Sequence, residues 1–374
     1  MAALNPFASS KRIVLKIGSA LLVDQASGTL NQDWLTALCA DIAAIDAEVI
    51  LVSSGAIALG RARFGLPAGR LTLAQKQACA AAGQSLLTQA YEHGLGKHGI
   101  ITAQALLTLN DTENRRRWLN ARSTLETLIG LGAIPIINEN DTVATDEIRY
   151  GDNDRLAART AQMLGADTLI LLSDIDGLYE TDPRLDKSAK HIPIIDSLTS
   201  EIMAMGGEPN MAAGVGTGGM VTKLAAAKIA IDAGCHMGIM NGEALSPLTR
   251  LMNGEKASWF KAAANPQQAR RQWIGGSIKP KGCLVIDAGA AKALTEGKSL
   301  LAAGITGVTG NFKKGDAVIV TNQDGLELAR GLASYSADDA VKILGRKSGD
   351  IVSILGYDNG AAIIHRDNMG VTNK

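Results

Sequence analysis

Ala133-Ile134-Pro135-Ile136-Ile137 runs directly into Asn138-Glu139-Asn140-Asp141, and a second polar cluster, Gly151-Asp152-Asn153-Asp154, follows after a short gap. The apolar residues read as a buried strand, and Arg155 to Leu164 has the apolar spacing of a helix. Both polar clusters are therefore expected beyond the carboxyl end of a strand, where ligands bind in an open α/β sheet. Asn, Asp and Gly are also ordinary turn residues, and one such cluster alone reads better as a turn. Two in tandem, together with the lysines described below, favour a site. Carboxylates beside carboxamides suit a zwitterion, because Asp accepts from an ammonium while Asn can donate to a carboxylate.

Working outward, Arg12 to Ile17 reads as a strand ending at Gly18-Ser19, and Val49 to Val52 as a second ending at Ser53-Ser54-Gly55. Thr168 to Leu172 and Met237 to Met240 read as further strands. Helical spacing covers Asp33 to Ile45, Gln75 to Tyr91, Trp118 to Ile129 and Met220 to Ala233. Strands alternating with helices predict an α/β fold, a mostly parallel sheet sandwiched by helices. After Ile274 the texture changes. Residues 275–280 read as a linker, and 281–374 as a small β-rich barrel domain with strands at Cys283 to Ile286, Ala317 to Val320, Gly325 to Arg330, Ile351 to Leu355 and Ala361 to His365. One helix is expected there, around Ala337 to Leu344. Residues 1–10 are expected to be a flexible N-terminus, leaving 11–274 as the first domain.

Composition narrows the function. Lys+Arg and Asp+Glu are both 37, so no global charge supports nucleic-acid or membrane binding. Only 3% of the chain is aromatic, which leaves little surface for stacking bases. Cys39, Cys79, Cys235 and Cys283 lie far apart among apolar residues and read as buried thiols of a reducing compartment. No leader-like segment or membrane-length apolar run is evident, so a cytoplasmic location is expected. Arg115-Arg116-Arg117 with Arg122 reads as a solvated helix face or an oligomer contact.

No Gly-x-x-x-x-Gly-Lys-Ser/Thr stretch occurs. Gly-x-Gly-x-x-Gly occurs at Gly94 to Gly99 and at Gly214 to Gly219, but neither follows a strand, so a dinucleotide fingerprint fails its context test. Gly216-Thr217-Gly218-Gly219-Met220-Val221-Thr222-Lys223 is more specific. Its glycines allow close backbone approach, a helix starts directly after them, and Lys223 adds charge in the first turn. Lys16 interrupts an apolar strand one residue before its end. Alone it would read as snorkelling to water, but with Lys223 it can flank a transferred phosphoryl group. Ser173-Asp174 ends another strand at the same sheet edge, where Asp174 either holds a nucleotide or caps a turn. None of the five histidines pairs at i, i+4 and no Cys-His cluster forms, so no protein-held metal or triad centre is expected. A carboxylate acceptor, already ionised at pH 7 with an ordinary pKa near ~4.3, would need no general base.

The set Val14 to Ser19, Ser53-Ser54-Gly55-Ala56, Ile137 to Asp141, Gly151 to Asp154 and Thr217 to Lys223 resembles the amino-acid kinase family, over nearly the whole chain. The stretches Val308 to Phe312, Leu355-Gly356-Tyr357 and His365-Arg366-Asp367 resemble the PUA domain attached to many of its members. Related aspartate, acetylglutamate and uridylate kinases share the fold and glycine loops but lack this combination of motifs. The resemblance is closest to the bacterial branch that phosphorylates glutamate at the first step of proline biosynthesis. It implies the conversion of ATP and L-glutamate to ADP and L-glutamyl 5-phosphate, with Mg2+ held mainly by the ATP phosphates.

By matched position, the resemblance implies ATP binding by Lys16, Ser173, Asp174, Thr217, Gly218, Gly219, Met220, Val221, Thr222 and Lys223. It implies substrate binding by Ser54, Asp141 and Asn153 with Gly55 and Asn138 nearby, and a role for Asp154 in orienting Lys16 and Lys223. It also implies proline as an inhibitor and a homo-oligomer, tetramer or dimer. Ser53 and Ser173 stand where Thr is frequent in the family, and Arg155 where a neutral residue is common. PUA domains elsewhere contact RNA, but residues 280–374 hold 11 Lys or Arg against 10 Asp or Glu, without the basic footprint of a phosphate-backbone binder. Among sibling kinases, an acidic group at Asp141 fits a free α-amino group, which acetylglutamate lacks. Aspartate differs from glutamate by one methylene, worth only ~1–3 kcal/mol.

Overall fold

Continuous apolar runs are the mark of strands buried on both faces, and the sheet at the centre of the first unit is built from them. The computed structural model describes residues 5–24, 27–143, 152–207, 219–269 and 280–371. The chain divides into two compact units, Met1–Pro266 and Gln267–Lys374. In the first, β1 (Arg12–Ile17), β2 (Glu48–Ser53), β3 (Thr102–Leu107), β4 (Ile134–Glu139), β5 (Thr168–Ser173), β6 (Ile194–Ile195), β7 (His236–Asn241) and β8 (Ala257–Phe260) form one sheet. Its order is β3-β4-β2-β1-β5-β7-β8-β6. Neighbours are parallel except for β8, which runs antiparallel to β7.

Side chains alternate between faces along each strand, and two cores result. Leu15, Ile17, Leu51, Ile136 and Leu172 pack with Trp34, Leu35 and Leu38 of α1 (Gln32–Ala43), Leu59 of α2 (Ala56–Arg63) and Leu87, Tyr91 and Leu95 of α3 (Leu73–Gly96). Val14, Ile50, Val52, Ile137, Leu169 and Leu171 face α4 (Arg115–Gly130), α5 (Asp152–Leu164) and α6 (Met220–Asp232) through Leu125, Leu156, Ala161, Leu224 and Ala227. Each fully buried aliphatic here contributes roughly 1.5–3 kcal/mol relative to exposure. Lys16 shares the parity of Val14, so it lies on the face covered by α5 and α6. Ahead of β1, a single 3-10 turn at Pro6–Ser9 buries Phe7 in the first core.

Strand order reverses at β1. The chain moves from β1 to β2 on one side and later returns through α5 to β5 on the other. The crevice beyond the carboxyl ends at such a point is where open α/β sheets bind ligands. Two helix starts frame it, those of α5 and α6.

Several boundaries differ from the sequence reading. Asn138 and Glu139 belong to β4, and Asp152, Asn153 and Asp154 form the first turn of α5. Acidic and Asn residues are favoured at helix starts, which is why this turn reads as loop in sequence. Edge strand β3 escapes periodicity because it is only partly buried.

The second unit holds β9 (Gly282–Ile286), β10 (Ile305–Gly310), β11 (Ala317–Thr321), β12 (Glu327–Leu332) and β13 (Met369–Val371) in the order β10-β9-β11-β12-β13. Leu300–Leu301 pairs with Ala362–Ile364. Leu284, Phe312, Val318, Val320, Tyr335 and Ile363 form its core. Ile351–Leu355, expected as a strand, is a short helix closed by Gly356 at φ 77°. Besides the expected helix at Ala337–Lys342, Ala288–Thr295 is also helical.

Candidate active site

The strand position of Lys16 and the helix starts of α5 and α6 bring three charges together. Lys16 Nζ lies 2.6 Å from Asp154 Oδ1, and Lys223 Nζ lies 3.3 Å from Asp154 Oδ2. Thr222 Oγ1 donates to Asp154 Oδ2 at 3.1 Å. Asp154 is 0% exposed, Lys16 9% and Lys223 4%. Two ammonium groups thus share one buried carboxylate, an arrangement costly to desolvate unless an anion joins it.

The titration of these groups follows from that geometry. Burial alone would raise the Asp154 carboxyl, but the charges of Lys16 and Lys223 and their hydrogen bonds outweigh it and hold it at about 2. For Lys16, burial is the largest influence and lowers its pKa. Asp154 opposes this, Lys223 adds repulsion, and the outcome is a lowered value. The stability supplied by Asp154 is therefore complete above the ordinary carboxyl range and lost as pH falls toward 2. The slope for Lys16 has the same sign at higher pH: between its lowered pKa and 10.5 the unfolded chain binds the extra proton, so stability rises with pH there too, as the cost of the buried ammonium is relieved.

A second cluster adjoins the first through Asn153, the residue before Asp154. Asn153 Nδ2 donates to Ser54 Oγ at 2.7 Å and to Asn138 Oδ1 at 3.0 Å. Asn138 Oδ1 also accepts from the Glu139 backbone N–H at 2.9 Å, and Asn138 Nδ2 donates to Gln84 Oε1 at 2.8 Å. Asn138 is 2% exposed and Gln84 8%, so these contacts satisfy groups that would be expensive to bury alone. Gly55 follows Ser54 with φ 112° and starts α2. That backbone shape favours glycine, and an added Cβ would lie 3.3 Å from Val23 Cγ2.

The remaining expected residues distribute as follows. Asp141 stands in the turn after β4, partly buried. Ser173 closes β5, and its Oγ donates to Asp174 Oδ1 at 2.9 Å. Gly219 is the N-cap of α6, with Met220 and Val221 in its first turn. Thr217 and Gly218, like Gly151, lie outside the described residues. Gln84 is the residue that sequence reasoning missed. A signal existed, because Ala80, Gly83, Leu87 and Tyr91 form the buried stripe of α3, and a carboxamide inside such a stripe needs partners.

The sequence matches the amino acid kinase family over residues 11–241 and the PUA domain over 282–355. It is 56% identical to the glutamate 5-kinase of Paramagnetospirillum magneticum, covering 98% of this chain and 99% of that one. Identity to the glutamate 5-kinase of Caulobacter vibrioides is 56%, covering 98% of this chain and 97% of the relative. Among solved structures, UMP kinase from Bacillus anthracis superposes with a TM-score of 0.47 at 15% identity, over 68% of this chain and 97% of that one. That likeness is too distant to bear on activity.

Proposed function

Because this chain belongs to the amino acid kinase family, and within it to the glutamate 5-kinases that carry a PUA domain, we propose that it transfers the γ-phosphoryl group of ATP to the side-chain carboxylate of L-glutamate. The observation that carries this reading is the pair of buried lysines sharing Asp154 at the sheet's switch point. A glutamate carboxylate oxygen attacks the γ-phosphorus. The bond to the β,γ-bridging oxygen breaks with its electron pair leaving on ADP, and L-glutamyl 5-phosphate forms. The acceptor is already ionised, so positioning and cationic stabilisation do the work. Lys16 and Lys223 flank the transferred group, and Asp154 holds both ammonium groups in place. Ser173, Asp174 and the segment from Thr217 to Lys223 take ATP, while Ser54, Gly55, Asn138, Asp141 and Asn153 take glutamate.

Among the described residues no three His, Cys, Asp or Glu side chains converge as metal ligands. In this reading Mg2+ would arrive with ATP, held mainly by its phosphates, and would offset their charge. The same reading takes 11–274 as the catalytic domain, 275–280 as linker and 281–374 as the PUA domain. It places the enzyme in the cytoplasm at the first step of proline biosynthesis, as a homo-oligomer inhibited by proline. Among the described residues no helix is long and apolar enough to cross a membrane.

Asp141→Asn tests the substrate half. An Asp–ammonium contact in a closed site is worth about 2–4 kcal/mol. The variant keeps the shape and loses the charge, so KM for glutamate should rise by about 30-fold or more with KM for ATP nearly unchanged. Proline carries an ammonium too, and its inhibition should weaken in parallel if it shares the site. A rise confined to the ATP KM would overturn the assignment.

Lys16 gives a pH signature. Its ammonium is needed for phosphate and its pKa is lowered, so kcat/KM for ATP should fall along an alkaline limb centred below 10.5. The residual activity of Lys16→Arg should lose that limb, since a guanidinium stays charged. A limb unchanged in Lys16→Arg would assign it to another group.

A further inference from the structure

We infer that Gln84 is a positioning residue for the acceptor substrate, acting through Asn138 on Asn153. The inference rests on the glutamate reading above and extends it to a residue outside the matched motifs.

The polarity of the three carboxamides is fixed from the backbone. The Glu139 N–H can only donate, and it lies 2.9 Å from Asn138 Oδ1. Asn138 must therefore turn its Nδ2 toward helix α3, where it meets Gln84 Oε1 at 2.8 Å. Gln84 Nε2 is left facing Thr88 Oγ1 at 3.4 Å. On the other side, Asn138 Oδ1 takes Asn153 Nδ2 at 3.0 Å, and that same Nδ2 faces the Ser53 carbonyl, which can only accept, at 3.5 Å. Every contact agrees on one direction. Its terminus is Asn153 Oδ1, which is buried and, among the described residues, accepts no hydrogen bond. A buried acceptor without a donor is unfavourable, and a substrate ammonium supplies the donor.

Helix packing holds Gln84 at its post. A Cβ on Gly83 would collide with the carbonyl oxygen of Ala56, and one on Gly60 with that of Cys79. Helices α2 and α3 therefore meet backbone to backbone beside Ser54 and Gln84, leaving the Gln84 carboxamide little freedom to withdraw. Without its oxygen, Asn138 Nδ2 becomes an orphaned buried donor. The carboxamide is then anchored through its oxygen alone and can tilt about that contact, so the partner that aims Asn153 is held less firmly.

The test uses the full chain with Gln84→Leu, which removes the acceptor, and Gln84→Glu, which keeps an acceptor oxygen. Gln84→Met replaces the leucine variant if that one does not fold. The apolar variant should raise KM for L-glutamate by about tenfold or more, with KM for ATP within about twofold. Gln84→Glu should recover most of the loss. In 1H–15N spectra of the enzyme without substrate, the side-chain amide signals of Asn138 and Asn153 should move in the apolar variant and return toward their original positions in Gln84→Glu. Unchanged amide signals, an unchanged glutamate KM in a folded apolar variant, or equal rises in both KM values would each overturn the inference. If wild-type enzyme does not turn over glutamate, the substrate reading fails, and the relay is still decided by the amide signals.

Discussion

Replacing Lys223 by alanine is expected to lower kcat by about 10³-fold while moving KM for glutamate by less than about threefold. Removing one donor aimed at developing transition-state charge costs on the order of 10²–10³ in kcat, and cationic groups on a transferring phosphoryl reach higher. Lys223 is buried and shares Asp154 with Lys16, so bulk water cannot readily replace it. An interaction made only in the transition state appears in kcat and not in ground-state binding. Lys223→Arg should rescue poorly, because a planar fork does not occupy the place of a compact ammonium. A folded Lys223→Ala enzyme with near-normal kcat would refute the role.

Asp154→Asn is expected to have the largest effect on stability. The substitution leaves two buried ammonium groups facing a neutral amide. Removing one member of a buried ion pair costs about 3–5 kcal/mol, because the surviving charge stays desolvated. Here two charges survive, so the loss should lie at the upper end and appear as a lower melting temperature. On the proposed reading the phosphates of Mg-ATP would supply the missing negative charge, so saturating nucleotide should raise the melting temperature of the variant more than that of the wild type. Its kcat should also fall, since neither lysine keeps its anchor. Melting identical to wild type, with and without nucleotide, would show that Asp154 does not hold the cluster together.

The central sheet was legible because its strands break the rules of exposed ones. Arg12 to Ile17 and Thr168 to Leu172 are near-continuous apolar runs, and a lysine inside the first is hard to explain by packing. Lys16 therefore marked the carboxyl end of β1 and a candidate site. The first turn of α5 was less legible. Asp152, Asn153 and Asp154 have the composition of a loop, yet a helix start prefers the same residues, and only tertiary contact tells the two apart. Ile351 to Leu355 misled in the opposite direction. Its β-branched composition favours a strand, but alternation would bury every second residue, and Ser353 is exposed while Ile351 alone is fully buried. Strand propensity reflects a packing environment more than an intrinsic preference, and that environment is absent there. Gln84 escaped motif reading because the buried stripe of its helix shows only that its carboxamide needs partners, and the nearer of them, Asn138, is distant in sequence.

The most direct measurement of the central claim is ADP release by the full-length enzyme with Mg-ATP across a panel of L-glutamate, L-aspartate, N-acetyl-L-glutamate and UMP. Hydroxylamine is added to trap any acyl phosphate as its hydroxamate. The expected result is release with glutamate, accompanied by an equivalent amount of glutamyl hydroxamate, and far slower release with the other three. ADP release driven by aspartate, acetylglutamate or UMP in place of glutamate, or release with glutamate that yields no hydroxamate, would contradict the account.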